Sequence, residues 1–316
     1  MTNKFAFFFP GQGSQSVGMM AGFTEANHLA SIVRDTFTEA SDILGADFWA
    51  MATEPNEQIN ETTNTQPIML IAGIATWRAW QATANMQPSI LAGHSLGEYT
   101  ALVAAGALTF KDALPLVRYR AEVMQNAVPV GIGAMAAILG LDDASVRGLC
   151  IEAAQNEVLE AVNFNSPGQV VIAGNKAAVM RGMELAKAQG AKRALALPVS
   201  VPSHCALMQP AAVQLKAYLE SVTFHTPSIA VLHNADVAAY NESNKIKDAL
   251  VRQLYSPVRW VETVQAIYAL GISQAAECGP GKVLAGLSKR IVAELPATAL
   301  TSNTALEEFQ AQLDQI

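Results

Sequence analysis

The chain has 316 residues, which is enough for one large α/β domain or two smaller ones. Its residues are 51% apolar and only 15% charged, a composition that excludes a largely disordered protein. The formal net charge of −7 argues against general affinity for nucleic acid or for an anionic membrane surface.

Neither a secretion signal nor a membrane span is predicted. The apolar run at residues 5–9 is too short for a signal-peptide core, and a proline-glycine pair ends it. The apolar stretch at residues 68–79 is interrupted by Arg78, so it falls short of the roughly 18 residues that a membrane helix needs. Three scattered cysteines are typical of a reducing compartment and of neither a disulfide framework nor a zinc site. We therefore expect a cytoplasmic protein without a metal ion.

The first 126 residues alternate between short apolar runs and helical patterns. Residues 67–81 carry apolar side chains at helical spacing, with Thr65 as the expected N-cap. In chain order, the predicted elements are a buried strand at 4–9, a turn at 10–14, the helix at 67–81, a strand at 89–93, and helices at 98–105 and 111–126. The strand at 89–93 therefore passes through a tight turn directly into a helix.

Residues 130–199 have a pattern of their own. The predicted elements are strands at 134–139, 158–164, 169–173 and 193–197, and helices at 142–153 and 176–189. Their order, β-α-β-β-α-β, is typical of a ferredoxin-like unit. A complete small unit between two α/β stretches indicates an insertion, so we expect a discontinuous larger domain, 1–129 and 200–316, with a cleft between the two.

The last part of the chain returns to α/β character. It has an extended stretch at 229–234, a helix that contains residues 252–254, and a strand that ends at Glu277. Gly279-Pro280-Gly281 follows and is expected to open a last amphipathic helix.

The motif Gly93-x-Ser95-x-Gly97 has the form of a nucleophile elbow. A sharp turn between strand and helix projects the serine hydroxyl and leaves room only for hydrogen two residues before and after it. Because a helix begins at once, the free amides at Leu96 and beyond point toward the place where an oxyanion would form. An ordinary tight β-α turn is the alternative, since so short a motif also occurs by chance.

A serine nucleophile needs a base, and His204 is the best of five histidines. It follows Pro202-Ser203 on a non-periodic segment just after the small unit, from which a loop histidine can face the cleft. A full triad would need an acid between Ser95 and its histidine, with His225 or His233 as the base, but the nearby Asp236 follows both of them. We therefore predict a Ser95–His204 dyad whose imidazole is oriented by something other than a carboxylate. His94 is expected to point away from the serine.

Six segments of the chain stand out when they are taken together. They are Pro10-Gly11-Gln12-Gly13-Ser14-Gln15, Gly93-His94-Ser95-Leu96-Gly97-Glu98-Tyr99, Arg120 with Met124-Gln125, Asn163-Phe164-Asn165-Ser166-Pro167-Gly168-Gln169, Pro202-Ser203-His204 and Arg252-Gln253-Leu254. In this order, and over nearly the whole length, they resemble the malonyl-CoA:acyl carrier protein transacylase family. The resemblance implies an α/β fold with an α/β-hydrolase-like core and an inserted ferredoxin-like small domain.

The resemblance also implies a role for each matching position. Ser95 would be the nucleophile, and His204 its base and later acid. The remaining roles are amides of an oxyanion hole (Gln12 and Leu96), a clamp for the malonyl carboxylate (Arg120), a lining residue (Asn163) and a main-chain carbonyl that holds the imidazole (Gln253). Malonyl-CoA and acyl carrier protein would be the substrates, no cofactor is implied because the coenzyme A thioester is itself a substrate, and we expect a monomer.

Two other functions remain open on the sequence alone. A serine esterase or thioesterase would carry the same motifs and pass the acyl group to water, because dryness of the cleft is not visible in a sequence. A catalytically silent carrier-binding module would need a broken Ser95 or His204, and both are present. An acidic carrier protein would need a local basic patch on this acidic chain, and Lys192, Arg193, Lys289 and Arg290 are the candidates.

Overall fold

The structure, a computed structural model, describes residues 4–23, 28–84, 86–199 and 201–315. Within these ranges the strands are β1 (Phe5–Phe9), β2 (Ile90–Gly93), β3 (Gly133–Leu139), β4 (Leu159–Ser166), β5 (Gln169–Asn175), β6 (Arg193–Ala196), β7 (Ala230–Leu232), β8 (Gln274–Glu277) and β9 (Ala297–Ala299). The helices are α1 (His28–Leu44), α2 (Phe48–Thr53), α3 (Thr62–Thr83), α4 (Gly97–Ala104), α5 (Phe110–Asn126), α6 (Asp143–Ala154), α7 (Lys176–Ala188), α8 (Gln209–Glu220), α9 (Ser243–Gln253), α10 (Trp260–Ala269), α11 (Val283–Ile291) and α12 (Asn303–Asp314).

A five-stranded parallel sheet forms the larger part of the molecule, in the order β7-β2-β1-β8-β9. Its central strand β1 is an unbroken apolar run because both faces of a parallel sheet are covered by helices. Phe5 and Phe7 pack against Trp80 on one face, whereas Phe8 packs against Trp260 on the other. The alternation of side chains along β1 therefore joins two separate parts of the core.

A four-stranded antiparallel sheet in the order β4-β5-β3-β6 forms the smaller part. Helices α6 and α7 belong to it, and their apolar side chains share one core cluster with those of β3, β4 and β5. The predicted order β-α-β-β-α-β over this segment is confirmed. Ser200, where we expected the larger domain to resume, lies outside the described residues.

Strand β4 of the smaller sheet also contacts the chain near α10. Val258, just before α10, forms an isolated bridge with Asn163, donates its N–H to Val162 and accepts one from Phe164. The carboxyl ends of the adjacent parallel strands β1 and β2 lie at one edge of the larger sheet. The loops after these strands and the middle of β4 therefore enclose a common space.

Two predictions about helices are wrong. The helix expected to begin after Thr65 begins at Thr62, and Thr65 lies inside it, with its hydroxyl donating to the main-chain oxygens of Ile59 and Glu61. Pro67 was misleading because proline favours the first position of a helix, whereas here it lies inside α3, more than one turn after Thr62. The helix after Gly279-Pro280-Gly281 is also not the last, since β9 and α12 follow it.

The three cysteines, Cys150, Cys205 and Cys278, are buried and free. Burial raises the pKa of the Cys150 and Cys205 thiols to about 12, so they are inert apolar residues at neutral pH. In the parts of the chain that the structure describes, no helix is long and apolar enough to cross a bilayer.

Candidate active site

The turn between β2 and α4 has the geometry of a nucleophile elbow. Ser95 has a φ of 52°, a left-handed conformation that is strained for a residue with a side chain. A Cβ atom on Gly93 would lie 1.9 Å from the main-chain carbon of Gly97, and one on Gly97 would lie 2.0 Å from the oxygen of Phe9. Both flanking positions therefore require glycine, for the steric reason that the motif suggested.

Ser95 and His204, 109 positions apart, are in direct contact. The Oγ atom of Ser95 lies 2.8 Å from Nε2 of His204. Nδ1 of the same ring lies 2.7 Å from the main-chain oxygen of Gln253, which can only accept a hydrogen bond, so Nδ1 carries the proton. In the neutral ring Nε2 then has a free lone pair facing the serine hydroxyl. A carbonyl thus holds the imidazole where a triad would have a carboxylate.

The imidazole of His204 is neutral at physiological pH. Only 2% of the residue is exposed, and this burial lowers its pKa to about 3, with the positive charge of Arg120 as the second cause. The other two histidines considered as bases lie elsewhere: His233 is bonded to Glu98, and the main chain of His225 is bonded to Ala107.

Arg120 is buried beside the serine. Its Nη1 donates to Oε1 of Gln66 at 2.7 Å, and its Nη2 donates to Oε1 of Gln253 at 3.0 Å and to Oγ of Ser95 at 3.3 Å. Its Nε has no partner, and none of the ion pairs among the described residues includes it. A buried guanidinium without an anion is unusual, because buried charges are normally paired. The positive charge of Arg120 is therefore available to pair with an anionic ligand.

A cavity of about 120 Å³ surrounds these groups. It is lined by Gln12, Thr62, Gln66, His94, Ser95, Leu96, Arg120, Met124, Met135, Asn163, Leu197, Val199, Val201, Ser203 and His204. Met135 and Asn163 belong to strands of the smaller sheet, whereas the other lining residues come from helices and loops, so the cavity lies where the smaller sheet faces the elbow. Oδ1 of Asn163 is buried there without a hydrogen-bond partner, which leaves it available to a bound molecule.

The loop after β1 lies directly against the elbow. A Cβ atom on Gly11 would be 2.4 Å from the oxygen of His94, which brings Gln12 to the rim of the cavity. The N–H of Leu96 precedes the first turn of α4 and donates no hydrogen bond among the described residues. The amides of Gln12 and Leu96 thus belong to two segments that converge beside Ser95.

Sequence reasoning missed several polar residues of the site. Gln66 is a lone buried amide in an apolar helix, and that contrast was the signal that could have revealed it. Glu98 and Asn234 lie behind the elbow and are bonded to each other. His94 forms a 2.8 Å contact with Asn165 of β4 and packs on Trp260, and it also lines the cavity.

A larger groove of about 520 Å³ lies between α8 and α9, but none of the predicted site residues lines it. Among the described residues, no group of three His, Cys, Asp or Glu side chains is placed to hold a metal ion. The expectation that the protein uses neither metal nor cofactor stays a prediction.

A serine hydroxyl in contact with a neutral imidazole can attack a carbonyl carbon, and nearby amides can stabilise the resulting oxyanion. The fold and the site thus define the class of enzymes that carry an acyl group on a serine. The profile of the acyl transferase domain matches residues 6–301.

Comparison with known proteins shows which family within this class the chain resembles. The malonyl CoA-acyl carrier protein transacylase of Salmonella typhimurium is 55% identical over 98% of this chain and 99% of its own length. The acyl-carrier-protein S-malonyltransferase structure from Burkholderia pseudomallei is 57% identical, with a TM-score of 0.94 over 98% of this chain and 99% of that one. A malonyl-transacylase solved in complex with its type II PKS acyl-carrier protein is 51% identical, with a TM-score of 0.95 over 98% of this chain and all of that one. The chain belongs to the malonyl CoA-acyl carrier protein transacylase family.

Proposed function

We propose that this acyltransferase moves a malonyl group from malonyl-CoA to the pantetheine thiol of acyl carrier protein through an acyl-serine intermediate, and so supplies fatty acid synthesis. One observation carries the proposal: Oγ of Ser95 contacts both the imidazole of His204 and the guanidinium of Arg120 inside one cavity. The base lies 2.8 Å and the cation 3.3 Å from the nucleophilic oxygen, so all three groups can contact one small acyl group. The names and high identity of the relatives support the same reaction.

Arg120 selects the acyl group. A guanidinium fork meets a carboxylate with two parallel charge-assisted hydrogen bonds, each worth about 1.5 to 3 kcal/mol. A total of about 3 kcal/mol is roughly a hundredfold preference for malonyl over acetyl. Gln66 and Gln253 fix the plane of the guanidinium in advance through their side-chain oxygens. The malonyl carboxylate would then take the place of the missing anion.

The first half-reaction begins at His204. Nε2 removes the Ser95 proton, and the serine oxygen attacks the thioester carbonyl. The amides of Gln12 and Leu96 hold the oxyanion, while Asn163 offers a polar contact from β4. The imidazolium then gives its proton to the departing thiolate of coenzyme A. Acyl carrier protein enters next, and its thiol reverses these steps on the acyl-serine, which makes the kinetics ping-pong.

The same proposal covers the domain arrangement and the cell compartment. We infer an α/β-hydrolase-like catalytic domain, 1–129 and 200–316, interrupted by a ferredoxin-like domain, 130–199. The β-α-β-β-α-β order and the sheet order β4-β5-β3-β6 support the ferredoxin-like domain, and the parallel sheet with its elbow supports the α/β-hydrolase-like domain.

Three reduced, buried cysteines suit the cytoplasm. A monomer needing no cofactor, metal or nucleic acid remains our expectation.

Docking of the carrier is assigned to the basic residues near the end of β4. Lys192 and Arg290 line one surface depression of about 480 Å³, together with Pro167, Gly168 and Asp142. The Asp142 carboxylate is already engaged as the N-cap of α6. Pro167 lies four residues beyond Asn163, about 13 Å along an extended strand, so the depression is near the cavity. An acidic partner held there could send a flexible thiol arm to Ser95.

Intact-mass analysis tests the function. Mixing the chain with malonyl-CoA is expected to add one malonyl group, whereas acetyl-CoA should label it weakly and Ser95→Ala should accept neither. Addition of carrier thiol should remove the label faster than water does. Labelling that persists in Ser95→Ala would refute the assignment, and equal release with and without the carrier would show a hydrolase.

A further inference from the structure

The side chain of Asn234 bridges the two ends of the turn that carries the nucleophile. Its Nδ2 donates to the main-chain oxygen of Gly93 at 2.7 Å, and its Oδ1 accepts the N–H of Ser95 at 2.7 Å. Asn234 is 1% exposed and comes from the segment after β7, far along the chain from the elbow. One amide thus fixes the main chain on both sides of His94.

Asn234 is itself held by Glu98, a fully buried residue in the first turn of α4. Oε2 of Glu98 accepts the N–H of Asn234 at 2.8 Å and Nε2 of Gln253 at 2.9 Å. Its Oε1 lies 2.7 Å from Nδ1 of His233. A carboxylate with three partners in a dry interior is a fixed point, because breaking any of these contacts would leave a buried polar group unsatisfied.

Gln253 connects this fixed point to the reacting groups. Its Nε2 also donates to the main-chain oxygen of Ser95 at 3.0 Å, and its Oε1 accepts from Arg120. Its own main-chain oxygen accepts Nδ1–H of His204. The contacts that orient the base and the guanidinium therefore start from the same carboxylate that holds Asn234.

The bridge has a chemical consequence at the elbow. Ser95 keeps its left-handed φ of 52° although this conformation is unfavourable, so surrounding contacts must hold it. Because the N–H of Ser95 is already used by Asn234, it is unavailable to an oxyanion. The next amide, that of Leu96, is left as the donor from this turn.

We propose that Asn234, held by Glu98, is a positioning residue that locks the elbow with the Ser95 hydroxyl toward His204 and the Leu96 amide toward the cavity. This inference rests on the proposed function only in taking Ser95 as the nucleophile. Asn234 touches neither the cavity nor a reacting atom. Its effect is therefore expected in the rate of serine acylation and not in the affinity for the acyl donor, whose carboxylate clamp remains intact.

Two variants and a control test the proposal. Asn234→Ala removes both contacts and is expected to slow Ser95 malonylation about tenfold to a hundredfold in single-turnover experiments, with little change in the malonyl-CoA concentration that gives half the maximal rate. Asn303→Ala, which removes another buried asparagine whose side chain has no hydrogen-bond partner, should react at the wild-type rate. Urea unfolding establishes that each variant is folded before its rate is compared.

Asn234→Asp gives a signature that a merely structural role would not produce. A protonated carboxyl can accept from Ser95 N–H and donate to the Gly93 oxygen, whereas the ionised form would face that oxygen with another lone pair. Burial and the neighbouring Glu98 both favour the protonated form of the introduced group. The rate relative to wild type should therefore rise by about tenfold as the pH is lowered from 8 to 5.

Two results would overturn the proposal: wild-type acylation by folded Asn234→Ala, or a flat pH dependence for the relative rate of Asn234→Asp. If Asn234→Ala does not fold, the pH dependence of the isosteric variant Asn234→Asp tests the proposal by itself. Failure of the proposed function is a separate outcome, since it would appear as absent malonylation of the wild-type chain. In that event, reaction of Ser95 with phenylmethylsulfonyl fluoride measures the same relative rates without any acyl donor.

Discussion

The Nδ1 atom of His204 donates to the main-chain oxygen of Gln253 across 2.7 Å. A carbonyl fixes the tautomer as a carboxylate would, but it carries no full negative charge to stabilise an imidazolium. Burial and the nearby charge of Arg120 disfavour protonation of His204 more than the hydrogen bond to Gln253 favours it, so its pKa falls to about 3. The base is thus always ready to accept a proton and, once it has one, gives it up readily to the leaving thiolate.

The first prediction concerns the pH dependence of Ser95 reactivity. A base with a lowered pKa stays neutral as the pH falls through 6.5, so the reactivity should be lost only as the pH approaches the lowered value. The rate of inactivation by phenylmethylsulfonyl fluoride, a neutral reagent, should therefore be constant from pH 8 to about pH 5. An acid limb with a midpoint at 6.5 or above would contradict this account of His204.

The variant Arg120→Gln tests whether the charge of Arg120 contributes to the lowered pKa of His204. Removal of the positive charge takes away the second contribution to the lowered pKa of His204, so any acid limb should move to higher pH. Arg118→Gln is the matched control, because Arg118 lies on the same helix but donates to the main-chain oxygen of Leu44, outside the cavity. It should leave the profile unchanged.

The second prediction concerns acyl selectivity. Arg120→Ala should lower kcat/KM for malonyl-CoA about a hundredfold, because it removes two charge-assisted hydrogen bonds to the carboxylate. The ratio of acetyl to malonyl transfer should rise by the same factor. Arg118→Ala should change neither quantity. If the ratio in Arg120→Ala equals that of the wild type, Arg120 does not bind the carboxylate.

The elbow and its partner histidine could be predicted from the sequence because their signals are local. Gly93 and Gly97 are required by clashes within a few residues of Ser95 and with the adjacent strand, and a short motif records that requirement. His204 could be selected because it lies on a non-periodic segment just after the small unit. The β-α-β-β-α-β order was equally accessible, because alternating apolar patterns mark each of its elements.

The residues behind the elbow had no such signal. Asn234 and Ser95 are 139 positions apart. Nothing in the sequence around either residue indicates that the Asn234 side chain would bridge the turn that carries Ser95. Glu98 reads in the sequence as an ordinary acidic residue in the first turn of a helix, yet it is fully buried. Only the packing of β2, α4 and α9 against one another creates that environment. Polar contacts between residues far apart in the chain therefore could not be predicted from the sequence.

The third prediction concerns carrier docking. The double variant Lys192→Glu, Arg290→Glu reverses the charge of the depression beside β4, so it should raise the KM for acyl carrier protein about tenfold through slower association. Malonylation of Ser95 by malonyl-CoA alone should be unchanged, which separates docking from chemistry. Lys216→Glu, Lys247→Glu, in the groove between α8 and α9, is the matched control. An equal effect of the two double variants would show that net charge alone matters.

The fourth prediction comes from Glu277, a fully buried carboxyl at the end of β8. Its Oε2 accepts the N–H of Ala285 at 2.8 Å, near the start of α11, but its Oε1 has no partner. Burial raises its pKa from 4.5 to about 7, although the backbone amides of Ala285, Leu284 and Val283 oppose the shift. The folded protein therefore holds this group protonated at a pH where the unfolded chain ionises it.

The sign of the pH effect follows from that difference. A raised pKa contributes stability that is complete below pH 4.5 and is lost as the pH rises to about 7, which amounts to about 3 kcal/mol. Glu277→Gln cannot ionise, so its free energy of unfolding in urea, relative to wild type, should increase by about 3 kcal/mol between pH 4.5 and pH 8. Glu308→Gln, an exposed substitution on α12, corrects for the loss of one charge. If the difference between wild type and Glu277→Gln is the same at both pH values, Glu277 is ionised in the folded protein and its unpartnered oxygen must be solvated.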